Sequence, residues 1–172
     1  RAGNVVGGGD WGEDRLICDI IRSIYSGEEV QIRSPQAVRP WQHVLDPLGG
    51  YLFLGQKLLE GGKEFAEGWN FGPRDDSIWT VQKVVESIKN EWDAFSYTIT
   101  QNPKFHEAGL LRLDCSKARM RLPWTPVWDA ATAFVRTIRW YRAHYETGEI
   151  LTAKDLDQYI LDACIARASW TL

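Results

Sequence analysis

The sequence predicts an α/β fold rich in helix, on three observations. Amphipathic stretches with helical spacing alternate with short apolar runs of strand length, the pattern that packs helices onto a sheet. Glycines and prolines fall at the boundaries between them, at 7–9, 27, 61–62, 72–73 and 148. The strands are nevertheless too few and too short to make a full sheet alone. A chain of 172 residues is long enough for one sizeable core.

In order, residues 1–6 predict a strand running into Gly7-Gly8-Gly9, a triglycine whose backbone a ligand could approach closely. Residues 15–26 predict a helix, with Leu16, Ile17, Ile20, Ile21 and Ile24 at helical spacing and Gly27 as its stop. A brief strand over 29–33 and a turn over 34–37 deliver the chain to Arg39. Residues 38–59 then join a short alternating strand to an amphipathic helix beyond Asp46-Pro47, stopped by Gly61-Gly62. Residues 68–73 predict a strand broken by Gly-Pro. A helix over 80–92 rests on Val81, Val84, Val85 and Ile88, and 95–100 predicts another strand. An apolar run over 110–113 precedes Ser116, a good N-cap for a helix over 117–122. After the extended linker 123–126, Asp129 caps a helix over 130–146 with Phe134, Ile138 and Tyr141 facing inward. A last helix over 151–168 carries Leu156, Ile160, Leu161 and Cys164.

Several function classes drop out on composition. A net charge of -3 offers no basic field for nucleic acid or a membrane surface. The three cysteines, Cys18, Cys115 and Cys164, are widely spaced and give neither a disulfide framework nor a zinc site. No signal peptide and no apolar run of membrane-spanning length occurs, so a reducing cytoplasm is expected. The chain starts at Arg1 in what reads as a strand in progress, which predicts a piece of something longer. Most of the nine tryptophans are expected in cores.

Catalytic signatures are missing. There is no GxGxxG opening a helix, no Tyr-x-x-x-Lys, no GxSxG and no HExxH, so no catalytic residue is assigned. His43 reads as a packed core histidine rather than a base. Anion binding has better support. A lone arginine is ordinarily a surface ion pair, and a lone asparagine a turn residue. Together, however, Arg39, Arg15 at a helix start, Asn4 and Asn70 combine two guanidinium forks, two neutral amides and a helix N-terminus. That set suits a diphosphate.

Four stretches, RAGNVVGGGDWGEDRLICDIIR, IRSPQAVRPWQHVLDPLGGYL, EGWNFGP and HEAGLLRLDCSKARMRL, also carry a resemblance in this order and spacing. They resemble the carboxyl-terminal half of the CDP-glucose 4,6-dehydratases, a sugar-nucleotide branch of the extended short-chain dehydrogenase/reductase family. The resemblance implies a carboxyl-terminal substrate-binding lobe plus edge strands of a Rossmann-type sheet, with 1–172 as a single fragment. The NAD-binding half, with its glycine-rich loop and Tyr-x-x-x-Lys pair, would lie before Arg1. Enzymes of this kind oxidise the sugar at C4 with tightly held NAD, eliminate water across C5–C6, and return the hydride to C6. Their 4-keto-6-deoxy product feeds deoxysugar and O-antigen synthesis. The implied substrate is CDP-glucose, and the parent enzyme is expected to be a homo-oligomer with its dimer helices upstream. On the matching positions, Asn4 and Arg39 would contact the diphosphate. Arg15 and Leu16 would line the nucleotide site, Ile32 would flank the base, and Asn70 and His106 would reach the nucleotide end. Gly109 and Pro123 depart from the pattern. The fragment alone is expected to be inactive. The alternatives are another nucleotide-sugar epimerase or dehydratase, or a non-enzymatic interaction module built on the tryptophans.

Overall fold

In the structure, a computed structural model that describes residues 1–100 and 109–171, two small sheets are wrapped by helices. Strand β1 (Asn4–Val6) pairs in parallel with β3 (Val38–His43), Asn4 opposite Trp41 and Val6 opposite His43. The amino-terminal part of β3 pairs antiparallel with β4 (Ile78–Thr80), Arg39 opposite Trp79. A second, two-stranded sheet pairs β2 (Val30–Ile32) with β5 (Tyr97–Ile99), again in parallel.

Between β1 and β2 runs helix α1 (Leu16–Ser26). Its buried face is Ile17, Ile20 and Ile21, and Gly27 closes it in a left-handed conformation (φ 72°) that glycine adopts without cost. Helix α2 (Leu45–Leu59) follows β3 after a single residue, and α3 (Val81–Glu91) follows β4 directly. Thr80 caps α3 by accepting the Lys83 N–H. After α4 (Ser116–Arg121) comes α5 (Ala130–Thr147), capped by the Asp129 carboxylate, which accepts the Thr132 N–H at 2.8 Å. Helix α6 (Thr152–Ile165) completes the order.

Two apolar cores result. The larger joins α1, α3 and α5 to both sheets through Val6, Ile20, Ile21, Ile32, Val84, Val85, Ile88, Phe134 and Ile138. The smaller joins α2 and α4 to residues 69–71 through Phe53, Trp69, Phe71, Leu122 and Trp124. Five of the nine tryptophans are buried: Trp41, Trp69, Trp124, Trp128 and Trp140. Among the described residues no helix is long and apolar enough to cross a membrane, and no group of side chains is arranged to hold a metal ion. All three cysteines are free.

Several expected boundaries move. The first strand starts at Asn4 instead of residue 1, and Ala2 makes only an isolated bridge to Phe71. Ser116 is the first residue of α4 rather than its cap, and the Asp114 carboxylate holds its N–H. Strand β4 was not predicted. Its three residues abut α3, and only pairing with β3 makes them a strand. On α6 the inward face is Asp155, Tyr159 and Ala163, while Leu156, Ile160 and Leu161 are exposed.

Candidate nucleotide-binding site

A cavity of about 840 Å³ opens between β1, β3, the start of α1 and the end of β2, within the size range of small-molecule sites. Five of the seven residues singled out in the sequence line it: Asn4, Arg15, Leu16, Ile32 and Arg39. The local reasons differ. Asn4 and Trp41 are register partners and Arg39 lies two residues before Trp41, so the strand pleat turns all three to one face. Arg15 is the N-cap residue of α1, and Leu16 is its first helical residue. Ile32 ends β2, where Gln31, Arg33 and Ser34 also reach the wall.

Two of the seven stand elsewhere. Asn70 is not on the cavity wall; its amide donates to the Asp114 carbonyl at 2.9 Å, tying residues 69–71 to the segment before α4. His106 lies outside the described residues. Asn4 opens β1 and Arg39 lies at the start of β3, whereas ligands of open α/β sheets usually gather at the carboxyl ends of strands. The cavity therefore runs along the strands towards α1.

Arg39 is buried, and its Nη1 donates to its own Val38 carbonyl at 2.9 Å. Arg15 is far more open and pairs with Asp10 through Nη1 at 2.5 Å. Burial acts to raise the Asp10 pKa, but the Gly12 N–H and the Arg15 guanidinium outweigh it and hold the carboxyl below its ordinary value. Tyr141, buried on α5, reaches the same loop. Its hydroxyl donates to the Asp10 carbonyl at 2.5 Å and accepts the Asp10 N–H at 2.9 Å. Desolvation pushes this phenol well above its ordinary range, so it stays protonated. Cys18 donates to the same carbonyl at 3.2 Å. The wall thus carries three arginines, Arg15, Arg33 and Arg39, and three aspartates, Asp10, Asp14 and Asp19, of which Asp10 pairs with Arg15 and Asp19 with Arg22, together with apolar side chains for a flat ring.

Asp10, Trp41 and Tyr141 escaped the sequence reading as site residues. Tyr141 reads in the sequence as core, and nothing in the spacing of these residues shows that a hydroxyl from α5 reaches Asp10 in the loop after β1. The triglycine also changes meaning. A Cβ on Gly8 would lie 2.0 Å from Cγ of Trp140, and one on Gly7 would lie 2.8 Å from Val44. Gly8 thus admits the Trp140 ring of α5, and Gly7 admits Val44 while also lining the cavity. His43 is buried as expected, its Nδ1 accepting the Leu45 N–H and its ring edge-on to Trp128.

No protein-family model matches the chain. Among curated proteins it is similar to CDP-glucose 4,6-dehydratase of Salmonella typhimurium, 44% identical over 163 residues, or 93% of this chain. The chain spans about half the length of that relative, 45%. Among solved structures it resembles UDP-glucuronic acid 4-epimerase from Bacillus cereus, in complex with UDP-glucuronic acid and NAD. That match has 16% identity and a TM-score of 0.69, and covers 84% of this chain and 45% of that one. It also resembles dTDP-glucose 4,6-dehydratase from Bacillus anthracis in complex with NAD, at 20% identity and a TM-score of 0.62, over 85% and 44%. Similarity at this level between structures shows the shared fold. In sequence over nearly all its length, and in fold, the chain is thus a relative of CDP-glucose 4,6-dehydratase and has the α/β architecture of the corresponding portion of nucleotide-sugar epimerases and dehydratases.

Proposed function

We propose that this chain is the substrate-binding portion of an NAD-dependent CDP-glucose 4,6-dehydratase and holds the CDP half of the sugar nucleotide. The observation that carries the proposal is the convergence of Asn4, Arg15, Leu16, Ile32 and Arg39 on one cavity wall. In this proposal Arg39 and Arg15 take the diphosphate, since guanidinium forks match phosphate oxygens and never lose their charge. Asn4 offers an amide beside them, while Leu16 and Ile32 cover the nucleoside. Asn70 enters only through contacts made by the rest of a longer protein, because here its amide faces Asp114.

The glycine-rich loop 7–9 packs against Trp140 and Val44 and lacks the GxGxxG spacing that opens a helix onto a dinucleotide phosphate. In this proposal NAD, and the acid and base of the elimination, belong to the part of the relative that the match does not span. The finished enzyme would act as a lyase yielding a 4-keto-6-deoxy sugar nucleotide. A second possibility is a different nucleotide-sugar epimerase or dehydratase, favoured by the fold shared with a UDP-sugar enzyme.

Calorimetric titration of the chain with CDP, UDP, GDP and dTDP ligands separates the two. Tightest binding of CDP and CDP-glucose supports the first, and a preference for another nucleotide supports the second. Arg39→Ala should weaken CDP binding by about 1.5–3 kcal/mol, the worth of a charge-assisted hydrogen bond. Unchanged affinity in that variant would remove Arg39 from the site.

A further inference from the structure

We propose that Asp10 and Gly12 form a seat that positions Arg15 at the cavity for the diphosphate; the inference rests on the nucleotide-binding proposal above. Arg15 projects from the cap of α1 with a side chain 62% exposed. An exposed arginine has many rotamers, and each must be given up when an anion is gripped. Two features of the loop after β1 restrict it beforehand.

The first is Asp10. One carboxylate oxygen takes the Arg15 Nη1–H and the other takes the Gly12 N–H at 3.0 Å. The backbone of Asp10 is itself held, by Tyr141 from α5 and by Cys18 from α1. The anchor therefore belongs to the core and not to a wandering loop. The second is Gly12. A Cβ there would lie 2.8 Å from Nε and 3.0 Å from Cζ of Arg15, so the guanidinium rests directly against the glycine backbone. Only a residue without a side chain leaves that place open. A guanidinium has five N–H donors, and the bond to Asp10 uses one of them. The rest remain available to phosphate oxygens. Asp10 and Gly12 are thus positioning residues; they reach the ligand only through Arg15.

Gly12→Ala tests this, because it displaces Arg15 without altering any charge. Gly12 has no positive φ, and its added methyl would meet only the movable end of Arg15, so the fold is expected to survive. Binding is measured on the chain by calorimetry with CDP and with cytidine, in the parent, Gly12→Ala, Gly12→Ser, Arg15→Ala and the Gly12→Ala/Arg15→Ala pair. Gly12→Ala and Gly12→Ser should each weaken CDP about tenfold, the loss of one charge-assisted contact, and leave cytidine unchanged. In the Arg15→Ala background Gly12→Ala should have no further effect. Unchanged CDP affinity in both Gly12 variants, or an equal loss with and without Arg15, would overturn the seat while leaving the nucleotide site standing. Failure of the parent chain to bind CDP would overturn both.

Discussion

Asp46 and His43 stand three residues apart at the junction of β3 and α2, and their environments push them in opposite directions. Asp46 is fully buried; its Oδ1 accepts the Val127 N–H at 2.6 Å and the Tyr159 hydroxyl at 3.0 Å, while its Oδ2 has no partner. Burial raises its pKa to about 6, against the partial relief of those hydrogen bonds and the charge of Arg74. Burial likewise lowers His43 to about 4, aided by the nearby Arg136. For the acid, the folded state binds its proton more tightly than the unfolded one. Its contribution is full below the ordinary value of 3.8 and is lost as pH rises through about 6. For the histidine, the contribution is full above 6.5 and is lost as pH falls through about 4. Each is worth about 3 kcal/mol at most. Between pH 4 and 6 the two slopes oppose each other, so together these groups leave stability nearly level. Asp46→Asn should expose the histidine, with stability to urea falling from pH 6.5 towards 4. His43→Gln should expose the acid, with stability falling as pH rises from 4 to 6. Urea midpoints that follow the parent profile in both variants would rule this pair out as titrating groups. The sequence shows that His43 packs; it does not show that Asp46 is its electrostatic counterweight, because Val127 and Tyr159 are far away along the chain.

At the scale of elements, the glycines separate into those that shape packing and those that do not. Gly8 follows β1 where α5 crosses, and a methyl there would strike the body of the Trp140 indole, 2.0 Å from Cγ. The ring cannot retreat, since it stacks on His144 and meets Tyr141 edge-on. Gly8→Ala should therefore cost about 1–3 kcal/mol of stability by overpacking, read as a lowered urea midpoint. Gly12→Ala, whose methyl meets a flexible side-chain end, should change that midpoint little. Equal losses in the two would show that loop conformation, not the Trp140 contact, sets the cost. The existence of α1, α3 and α5 was legible in sequence because apolar residues at helical spacing in all three, with the boundary signals Gly27 for α1 and Asp129 for α5, agree locally. Strand β4 was not, because three residues become a strand only when a partner supplies the ladder. The outward face of α6 was equally hidden, since the same helix offers apolar residues on more than one side.

For the molecule as a whole, the chain aligns with 45% of its curated relative, and its sequence carries neither a GxGxxG loop opening a helix nor a Tyr-x-x-x-Lys pair. Purified chain supplied with CDP-glucose and NAD should accordingly give no 4-keto product by chromatography. Measurable product would place catalytic residues in this portion. Local sequence was enough to determine the α/β class, the main helices and the lack of catalytic signatures, because each depends on residues near one another in the chain. It also named the residue types that an anion site needs, through Arg15, Arg39 and Asn4. Which of them meet was decided by tertiary structure alone. Strand pairing sets Asn4 beside Trp41, α5 brings Tyr141 to Asp10, and the segment 69–71 carries Asn70 towards Asp114 instead. The physical reason is that a strand register or a helix crossing fixes distances between residues with no local interaction, and only the folded chain contains that information.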